Sequence, residues 1–403
     1  MILVRILLLI AVFSSCHARQ PNFNILDQER QVLDTILPGA CQTELYFPLL
    51  KNKKVGLVIN QTSLINKTHL VDSLLNVEIK VQKIYAPEHG FRGEADAGED
   101  IADQKDKKTG ITLISIYGKK MKPTKEDLDG IDILVFDIQD VGARFYTYIS
   151  TLHYIMEACA ENKIPLIVLD RPNPNGHYID GPIMESGYTS FVGLDPLPVV
   201  YGLTIGELAK MINGEHWLKD GMQCDLQVIP VKNYDHNSRY ELPVNPSPNL
   251  RNMRAIYLYP SICFFEGTIV SVGRGTDHPF ETIGYPGFLF GSFMFTPKPI
   301  PGAMDPPYKD QQCTGTSLAG IPIEELKNIK QLRLDYLLSY FKMYTKEDFF
   351  LKNLYFDKLA GTDKFRRQII EGKSEVEIRE SWKEGLDAFK VKRKKYLLYK
   401  DFY

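Results

Sequence analysis

The chain has 403 residues, of which 44% are hydrophobic and 24% are charged, and its formal net charge is −2. This composition is typical of a globular protein, and the length exceeds what one ordinary core requires, so two domains are expected. The charge balance, without any run of five like charges, gives no indication of a DNA- or RNA-binding protein.

The first 18 residues predict export. An apolar run that contains a single charge, Arg5, is too short for a transmembrane helix and ends in small residues, which is typical of a signal peptide. Two cleavages are compatible with this sequence. Cleavage after Ala18 gives a secreted protein, whereas the lipobox-like residues 13–16 would leave Cys16 as a lipidated N-terminus. We therefore expect a periplasmic or cell-surface protein. Its mature chain is not expected to span the membrane, because no later segment is apolar enough.

Strand and helix patterns alternate in the first half. Short β-branched runs at residues 55–59, 79–86, 112–116, 131–136, 165–169 and 225–230 predict strands buried on both faces of a parallel sheet. Residues 148–162 have apolar side chains at helical spacing, and a capping-box pattern at Thr204 and Glu207 opens a helix to about Trp217. The pattern predicts a Rossmann-like, doubly wound α/β domain. No Gly-x-Gly-x-x-Gly motif indicates a dinucleotide.

The pattern changes near residue 232. Residues 232–248 are rich in Pro, Asn and Tyr, and long Gly- and Pro-rich loops follow, with a strand-like stretch at 267–272. Helices are predicted at 323–344, 362–371 and 375–391. We expect a Rossmann-like catalytic domain at 23–232 and a smaller α+β domain at 233–403 that closes the cleft. The scattered cysteines indicate neither a zinc site nor a disulfide framework, although a single disulfide stays open.

Polar residues follow four of the predicted strands. In open α/β sheets ligands bind beyond the carboxyl ends of the strands, so these residues should converge on one rim. They are Asn60, Glu88, His89, Asp137, Asp140, Arg144, Asp170, Arg171 and Asn173. One aspartate after a strand is more often a helix cap than a catalyst. Four strand ends of this kind favour a site.

The turn at residues 87–93 contains a candidate general acid. Gly90 and Gly93 permit a tight turn, which can hold Glu88 in an apolar cleft beside Tyr85 and Phe91. A glutamate that stays protonated in such a cleft can protonate a glycosidic oxygen. The alternative is that Glu88 pairs with the nearby arginine at position 92 and only shapes the loop. His89 is expected to support Glu88.

The stretch 137–148 offers a second carboxylate and a cation. A two-carboxylate glycosidase needs a partner for its acid, and Asp137 or Asp140 would supply it. The alternative is that these aspartates cap the next helix and neutralise Arg144. Arg144 and Tyr146 lie where that helix begins, a position that favours an anionic ligand group.

The second half contributes further candidates. Arg274 stands between two glycines, which suits recognition of a carboxylate, although an ordinary surface loop has the same pattern. Glu266 follows two phenylalanines, and Asp277 lies in the loop that contains Arg274. Asn249 and the loop at 170–175 present amides that suit sugar hydroxyls.

Together these segments resemble a family once described as a domain of unknown function, the NamZ-type exo-β-N-acetylmuramidases of peptidoglycan recycling. The resembling stretches are 87–93, 137–148, 169–176, 201–207, 246–250, 259–268, 273–280 and 358–367. The resemblance implies a Rossmann-like catalytic domain with an auxiliary domain, a cleft between them, and no cofactor, and the residues around His89 show no clear set of metal ligands. It also implies release of terminal β-linked N-acetylmuramic acid, with Glu88 as the essential glutamate.

Such a substrate gives the candidate arginines a role, because it carries a carboxylate. N-acetylmuramic acid differs from N-acetylglucosamine by a lactyl ether with a carboxylate, and Arg144 and Arg274 are the candidates to bind it. Either a second carboxylate or the substrate's N-acetyl oxygen, steadied by Asp137 or Asp140, would complete the reaction. Two rival functions are an ester or amide hydrolase, for which no nucleophile elbow is present, and a muropeptide-binding protein without turnover.

Overall fold

The structure is a computed structural model that describes residues 35–92 and 104–403. The predicted signal peptide and Cys16 lie outside the described residues. The described helices are α1 Thr43–Leu50, α2 Leu70–Asn76, α3 Tyr148–Asn162, α4 Ile205–Gly214, α5 Met253–Ile262, α6 Ile323–Lys327, α7 Leu334–Met343, α8 Tyr355–Ala360, α9 Lys364–Ile370 and α10 Glu375–Arg393. The described strands are β1 Lys54–Ile59, β2 Leu64–Ile65, β3 Thr68–His69, β4 Lys80–Ala86, β5 Gln104–Lys105, β6 Thr112–Ser115, β7 Ile133–Asp137, β8 Leu166–Leu169, β9 Leu226–Ile229, β10 Thr282–Tyr285, β11 Phe293–Phe295 and β12 Cys313–Ser317.

The main sheet has the strand order β5-β6-β4-β1-β7-β8-β9. Strand β5 is antiparallel to β6, and the other neighbouring pairs are parallel. The chain builds outward from β1 through β4 to β6, then returns to the other side of β1 and continues through β7, β8 and β9. The six predicted strands and the doubly wound architecture are therefore confirmed, and the order reverses between β1 and β7, where such sheets bind ligands.

The sheet is buried on both faces, as its continuous apolar strands require. Val58 and Phe136 point into a large core that includes α3, whereas Leu57 and Val135 point into a smaller core beneath α1 and α2. Helix α3 ends at Lys163, whose left-handed backbone (φ 55°) stops the helical hydrogen bonds. The predicted capping box at the start of α4 is present.

The second half contains a three-stranded antiparallel sheet in the order β10-β12-β11, and helices α6 to α10 follow it in the chain. This confirms the smaller α+β part, while the boundary at residue 232 stays a prediction, since Ile36–Tyr403 forms one compact unit. The single helix predicted at 323–344 is two helices, α6 and α7. The backbone between them is held at Leu332, because its N–H donates to Asp180 and its carbonyl accepts from Arg379.

The strand predicted at 267–272 is also different in the structure. Its backbone is shared between two partners, with Thr268 bridging to Phe350 and Ser271 to Gly284, so no continuous ladder forms. Helix α4 ends at Gly214 rather than near Trp217 because His216 has a left-handed backbone (φ 56°).

Two observations concern the described residues as a group. None of the helices found there is long and apolar enough to cross a lipid bilayer. The five cysteines at positions 41, 159, 224, 263 and 313 are free thiols, and nowhere in residues 35–92 and 104–403 do three or more metal-ligating side chains cluster.

Candidate active site

A cavity of about 690 Å³ lies beside residues that follow the carboxyl ends of β4, β6 and β7. Glu88 and His89 line it from the loop after β4, Tyr117 from the loop after β6, and Tyr146 from the segment between β7 and α3. Residues of the second half complete the lining. They include Asn249, Tyr259, Cys263, Glu266, Arg274, Phe280, Tyr308 and Tyr355. Segments on both sides of residue 232 therefore form this cavity.

Glu88 is half-buried in the cavity wall and held by its neighbours. His89 (φ 66°) and Gly90 (φ 76°) both have left-handed backbone, which makes the sharp turn that the sequence predicts. The Thr147 hydroxyl donates a hydrogen bond of 2.5 Å to Oε2 of Glu88. The Tyr148 hydroxyl lies 3.5 Å from the Glu88 carbonyl oxygen, which places the start of α3 beside the turn.

The residues expected around Glu88 occupy other positions. The Tyr85 hydroxyl donates to the Asp127 carbonyl, and Phe91 packs edge-on against His69 at a centroid distance of 5.1 Å. Neither aromatic ring lines the cavity. Arg92 forms an ion pair with Asp106 at 2.9 Å and lies over the Phe91 ring. The apolar cleft of Glu88 is made instead by aromatic residues distant in sequence.

Glu266 and Arg274 form an ion pair in the cavity lining. Nε of Arg274 donates to Oε1 of Glu266 at 2.5 Å, and the Cys263 thiol lies 3.5 Å from Oε2. The guanidinium carbon stands 5.1 Å from the centroid of the Phe280 ring. Burial opposes the charge of Arg274, but Glu266 outweighs this effect and raises the pKa of the guanidinium. Its Nη atoms make no hydrogen bond to a described residue, so an anionic ligand can bind them.

Two buried polar atoms in the cavity lining have no hydrogen-bond partner among the described residues. They are the hydroxyl of Tyr146, a residue that is 8% exposed, and Oδ1 of Asn249, a residue that is 2% exposed. Nδ2 of Asn249 donates to the Gly302 carbonyl at 2.7 Å. Burial raises the pKa of Tyr146 well above its ordinary value, so the phenol is neutral. Buried polar atoms are normally paired, so these two indicate a ligand or bound water.

Asp137, Arg171, Asp170 and Asn173 are not among the cavity-lining residues. Arg171 donates from Nε and Nη2 to the two Asp137 oxygens at 2.6 and 2.9 Å, and both residues are buried. Each satisfies the other, so this pair holds β7 to the end of β8.

The loop that follows β8 is held just as firmly. Asp170 accepts hydrogen bonds from the Gly206 backbone at 2.7 Å, from Thr204 and from Tyr399. Asn173 accepts from the Asn175 backbone at 2.8 Å and donates to the Leu203 carbonyl at 2.7 Å. These contacts give both residues a structural role.

Arg144 does not line the cavity either. Its guanidinium is fully buried and donates to three backbone carbonyls, those of Pro182, Leu197 and Leu359. Burial lowers the pKa of Arg144 to about 9. The expectation that Arg144 binds a sugar carboxylate therefore needs correction, because both of its Nη groups donate to protein carbonyls and no solvent reaches the side chain.

Three further candidates also lie outside the cavity lining. Asp140 accepts from the Gly142 backbone at 2.7 Å and from Tyr201, and burial raises its pKa to about 6. Asn60 is buried and its Oδ1 accepts from the Thr62 backbone, which shapes the turn after β1. The Asp277 side chain is 97% exposed, so it is a surface residue.

Other cavity residues were not indicated by the sequence. Thr147 lies within the predicted stretch 137–148, but its bond to Glu88 depends on a loop 59 residues away. Tyr355 lines the cavity together with Glu88 and Glu266, and burial raises the pKa of its phenol. No local pattern marks Tyr355 as a site residue.

Comparisons with known proteins bear on this site. Residues 55–254 match the family model described as exo-beta-N-acetylmuramidase NamZ, N-terminal, and residues 257–399 match the model of its C-terminal part. The peptidoglycan beta-N-acetylmuramidase NamZ of Bacillus subtilis (strain 168) is 39% identical over 393 residues, a match that covers 91% of this chain and 90% of that protein.

Two crystal structures of DUF1343 family proteins from Bacteroides fragilis NCTC 9343 are similar to this fold. The first, at 1.30 Å resolution, has a TM-score of 0.84 and 46% identity, with 91% of this chain and 99% of that chain covered. The second, at 1.65 Å resolution, has a TM-score of 0.75 and 29% identity, with 91% and 100% covered.

Proposed function

This chain belongs to the exo-β-N-acetylmuramidase NamZ family, and we propose that it uses the cavity to release N-acetylmuramic acid from the non-reducing ends of peptidoglycan fragments. The observation that carries the proposal is the composition of the cavity, which combines the half-buried Glu88 with the cationic Arg274. A glycosidase for a sugar acid needs a proton donor and an anion receptor in one space. The cavity's volume of about 690 Å³ suits a small ligand.

In the proposed reaction Glu88 acts as general acid. It protonates the glycosidic oxygen while the bond from that oxygen to the anomeric carbon breaks; water then adds to the anomeric carbon and gives up a proton, which restores the acid form of Glu88. Thr147 fixes one carboxylate oxygen of Glu88 and thereby the direction of the group. His89 lines the cavity from the same turn, and its left-handed backbone supports the shape of that turn.

The second catalytic group has two candidates. Of the described residues that line the cavity, the carboxylates are Glu88 and Glu266, whereas Asp137 and Asp140 lie behind it. Glu266 forms an ion pair with Arg274. Either Glu266 or the N-acetyl group of the substrate therefore assists the departure of the leaving group.

Arg274 is the proposed receptor for the lactyl carboxylate. Glu266 occupies its Nε and leaves both Nη atoms for a second carboxylate, and the Phe280 ring supports the guanidinium plane. A sugar without the lactyl group would leave these donors unpaired in a desolvated site. The penalty for such unpaired donors would make the enzyme prefer N-acetylmuramic acid over N-acetylglucosamine.

The site of action is proposed to be outside the cytoplasm. The signal-peptide pattern of residues 1–18 supports export, and Cys16 gives a route to a lipid anchor. The mass of the mature N-terminus, measured on protein from the native host, distinguishes cleavage after Ala18 from lipidation at Cys16. A mass that retains residues 1–15 would contradict export.

The test compares hydrolysis of a chromogenic β-N-acetylmuramide with that of the matching β-N-acetylglucosaminide. We expect turnover of the first to exceed that of the second, and Glu88→Gln to lower kcat on the muramide by roughly 10²- to 10⁴-fold. The control Glu380→Gln alters an exposed glutamate of α10 and should keep full activity. No turnover by the parent protein would favour a muropeptide-binding protein, and release from the glucosaminide alone would contradict lactyl recognition.

A further inference from the structure

Tyr146 and Asn249 combine features that the proposed reaction does not yet use. Both line the cavity, both are at least nine-tenths buried, and each has a polar atom without a partner among the described residues. We propose that this pair is the receptor for the 2-acetamido group of the substrate. Tyr146 donates its hydroxyl proton to the acetamido carbonyl oxygen, and Oδ1 of Asn249 accepts the acetamido N–H. This inference rests on the proposed glycosidase function and names the group that the pair binds.

The polarity of Asn249 is set by the protein. Its Nδ2 donates to the Gly302 carbonyl at 2.7 Å, so the other end of the amide is Oδ1, which can only accept. Gly302 has φ 86°, and a Cβ on it would stand 2.3 Å from Cβ of Pro248. Glycine at this position therefore permits the close approach that orients Asn249. The atom left unpaired is an acceptor fixed before any ligand arrives.

The Tyr146 hydroxyl is fixed in a similar way. Its ring packs edge-on against Tyr148 at a centroid distance of 4.9 Å and against Tyr259 at 5.7 Å. The hydroxyl groups of Tyr148 and Ser247 lie nearby, but neither makes a hydrogen bond of normal geometry with it. Tyr148 instead donates to the Pro246 carbonyl at 3.2 Å. Tyr146 is thus a neutral, positioned hydroxyl with a proton to donate.

The two atoms match a secondary amide. An acetamido group presents one carbonyl acceptor and one N–H donor, and the pair presents one donor and one acceptor. A sugar hydroxyl also donates and accepts, but it does so at a single oxygen that rotates freely, whereas an amide presents its donor and its acceptor at two separate atoms with fixed polarity. Specificity of this kind is strong, because a ligand that lacks the amide leaves buried polar atoms unpaired.

The place of the pair relative to Glu88 agrees with the substrate. Glu88 accepts a hydrogen bond from Thr147, which directly follows Tyr146 in the chain, and Glu88 and Tyr146 both line the cavity. The acetamido group is attached to C2 of the sugar, and the oxygen that Glu88 protonates is attached to C1, the adjacent carbon. A receptor for the first group must therefore lie beside the acid that serves the second.

The experiment measures binding of two sugars by titration calorimetry, N-acetylmuramic acid and its 2-deoxy analogue, which lacks the acetamido group. We expect Tyr146→Phe and Asn249→Leu each to weaken binding of the N-acetyl sugar roughly tenfold and to leave the 2-deoxy sugar within about twofold. The control is Tyr178→Phe. The Tyr178 hydroxyl is also buried and unpartnered among the described residues, but it does not line the cavity, so its removal should change neither affinity.

The outcomes separate this inference from the function on which it rests. Equal losses for the two sugars, or no loss for either, would overturn the assignment of the pair to the acetamido group. Because both sugars are compared in the same variant, partial misfolding affects them alike and does not imitate the expected difference. Turnover of the chromogenic β-N-acetylmuramide by the parent protein tests the glycosidase function independently.

Discussion

The Thr147 hydroxyl donates a 2.5 Å hydrogen bond to Oε2 of Glu88. The bond joins the turn after β4 to the residue that precedes α3, so the direction of the Glu88 carboxyl group depends on two parts of the sheet at once. The next residue, Tyr148, contacts the Glu88 carbonyl and the Pro246 carbonyl, which brings the second half of the chain into the same arrangement. Placement of the proposed acid therefore depends on how α3 begins.

Replacement of Thr147 by valine tests this dependence. Valine keeps the β-branched shape and removes the hydroxyl, so Glu88 loses the donor that orients it. We expect kcat on the chromogenic muramide to fall about tenfold, with KM and Tm little changed. Thr151→Val, one turn further along α3, removes a hydroxyl that donates only to the Thr147 backbone carbonyl and should retain normal kcat. A Thr147→Val enzyme with unchanged kcat would show that Glu88 is oriented by other contacts.

Replacement of Arg274 by lysine tests recognition of the lactyl carboxylate. Lysine keeps the charge beside Glu266 but lacks the two Nη donors. The ratio of kcat/KM for the muramide to that for the glucosaminide should fall by about 10- to 100-fold, mainly through the muramide. Arg333→Lys is a matched control, because Arg333 pairs with Asp335 at a site outside the cavity. An unchanged ratio in Arg274→Lys would mean that another group selects the substrate.

The sequence predicts the strands and α3 well because a doubly wound sheet buries short, continuous apolar runs. It also places Glu88 correctly after a strand, in the cavity lining. It cannot separate Arg144 from Arg274, since both lie among glycines and aromatic residues. Arg144 donates hydrogen bonds to carbonyls up to 215 residues away in the chain, and no local sequence pattern reveals such partners. Asp137 and Arg171 are each plausible site residues when considered alone, but in the fold they form an ion pair with each other.

The buried carboxyl group of Asp170 should make stability depend on pH. Burial raises the pKa of Asp170 from 3.8 to about 7, against the opposing hydrogen bond from Tyr399. The folded protein therefore holds a proton that the unfolded chain releases between about pH 4 and 7. This stabilisation is complete below that window and is lost as the pH rises through it, by roughly 1.4 kcal/mol per pH unit at most.

Asp170→Asn removes this titration. The Thr204 and Tyr399 hydroxyls can reverse and accept from the amide, so the local hydrogen bonds survive. Urea unfolding between about pH 4 and 8 should show the free energy of unfolding of the parent protein declining relative to that of Asp170→Asn. The exposed control Asp335→Asn should follow the parent curve. Parallel curves for the parent and Asp170→Asn would contradict a raised pKa at this position.

Replacement of Arg144 should affect stability rather than substrate selection, in contrast to replacement of Arg274, because Arg144 has a structural role. Arg144→Met removes the donors of the Pro182, Leu197 and Leu359 carbonyls and leaves them buried. We expect a loss of roughly 2–4 kcal/mol in the free energy of unfolding by urea, with the ratio of muramide to glucosaminide kcat/KM retained at temperatures where the variant is folded. Arg393→Met removes another fully buried guanidinium, with its bonds to the Gly202 carbonyl and its ion pair with Asp401, so it should lower stability at least as much and also keep the ratio. A collapse of the ratio in Arg144→Met, with stability intact, would restore Arg144 as a substrate ligand and contradict the role that its three carbonyl contacts assign to it.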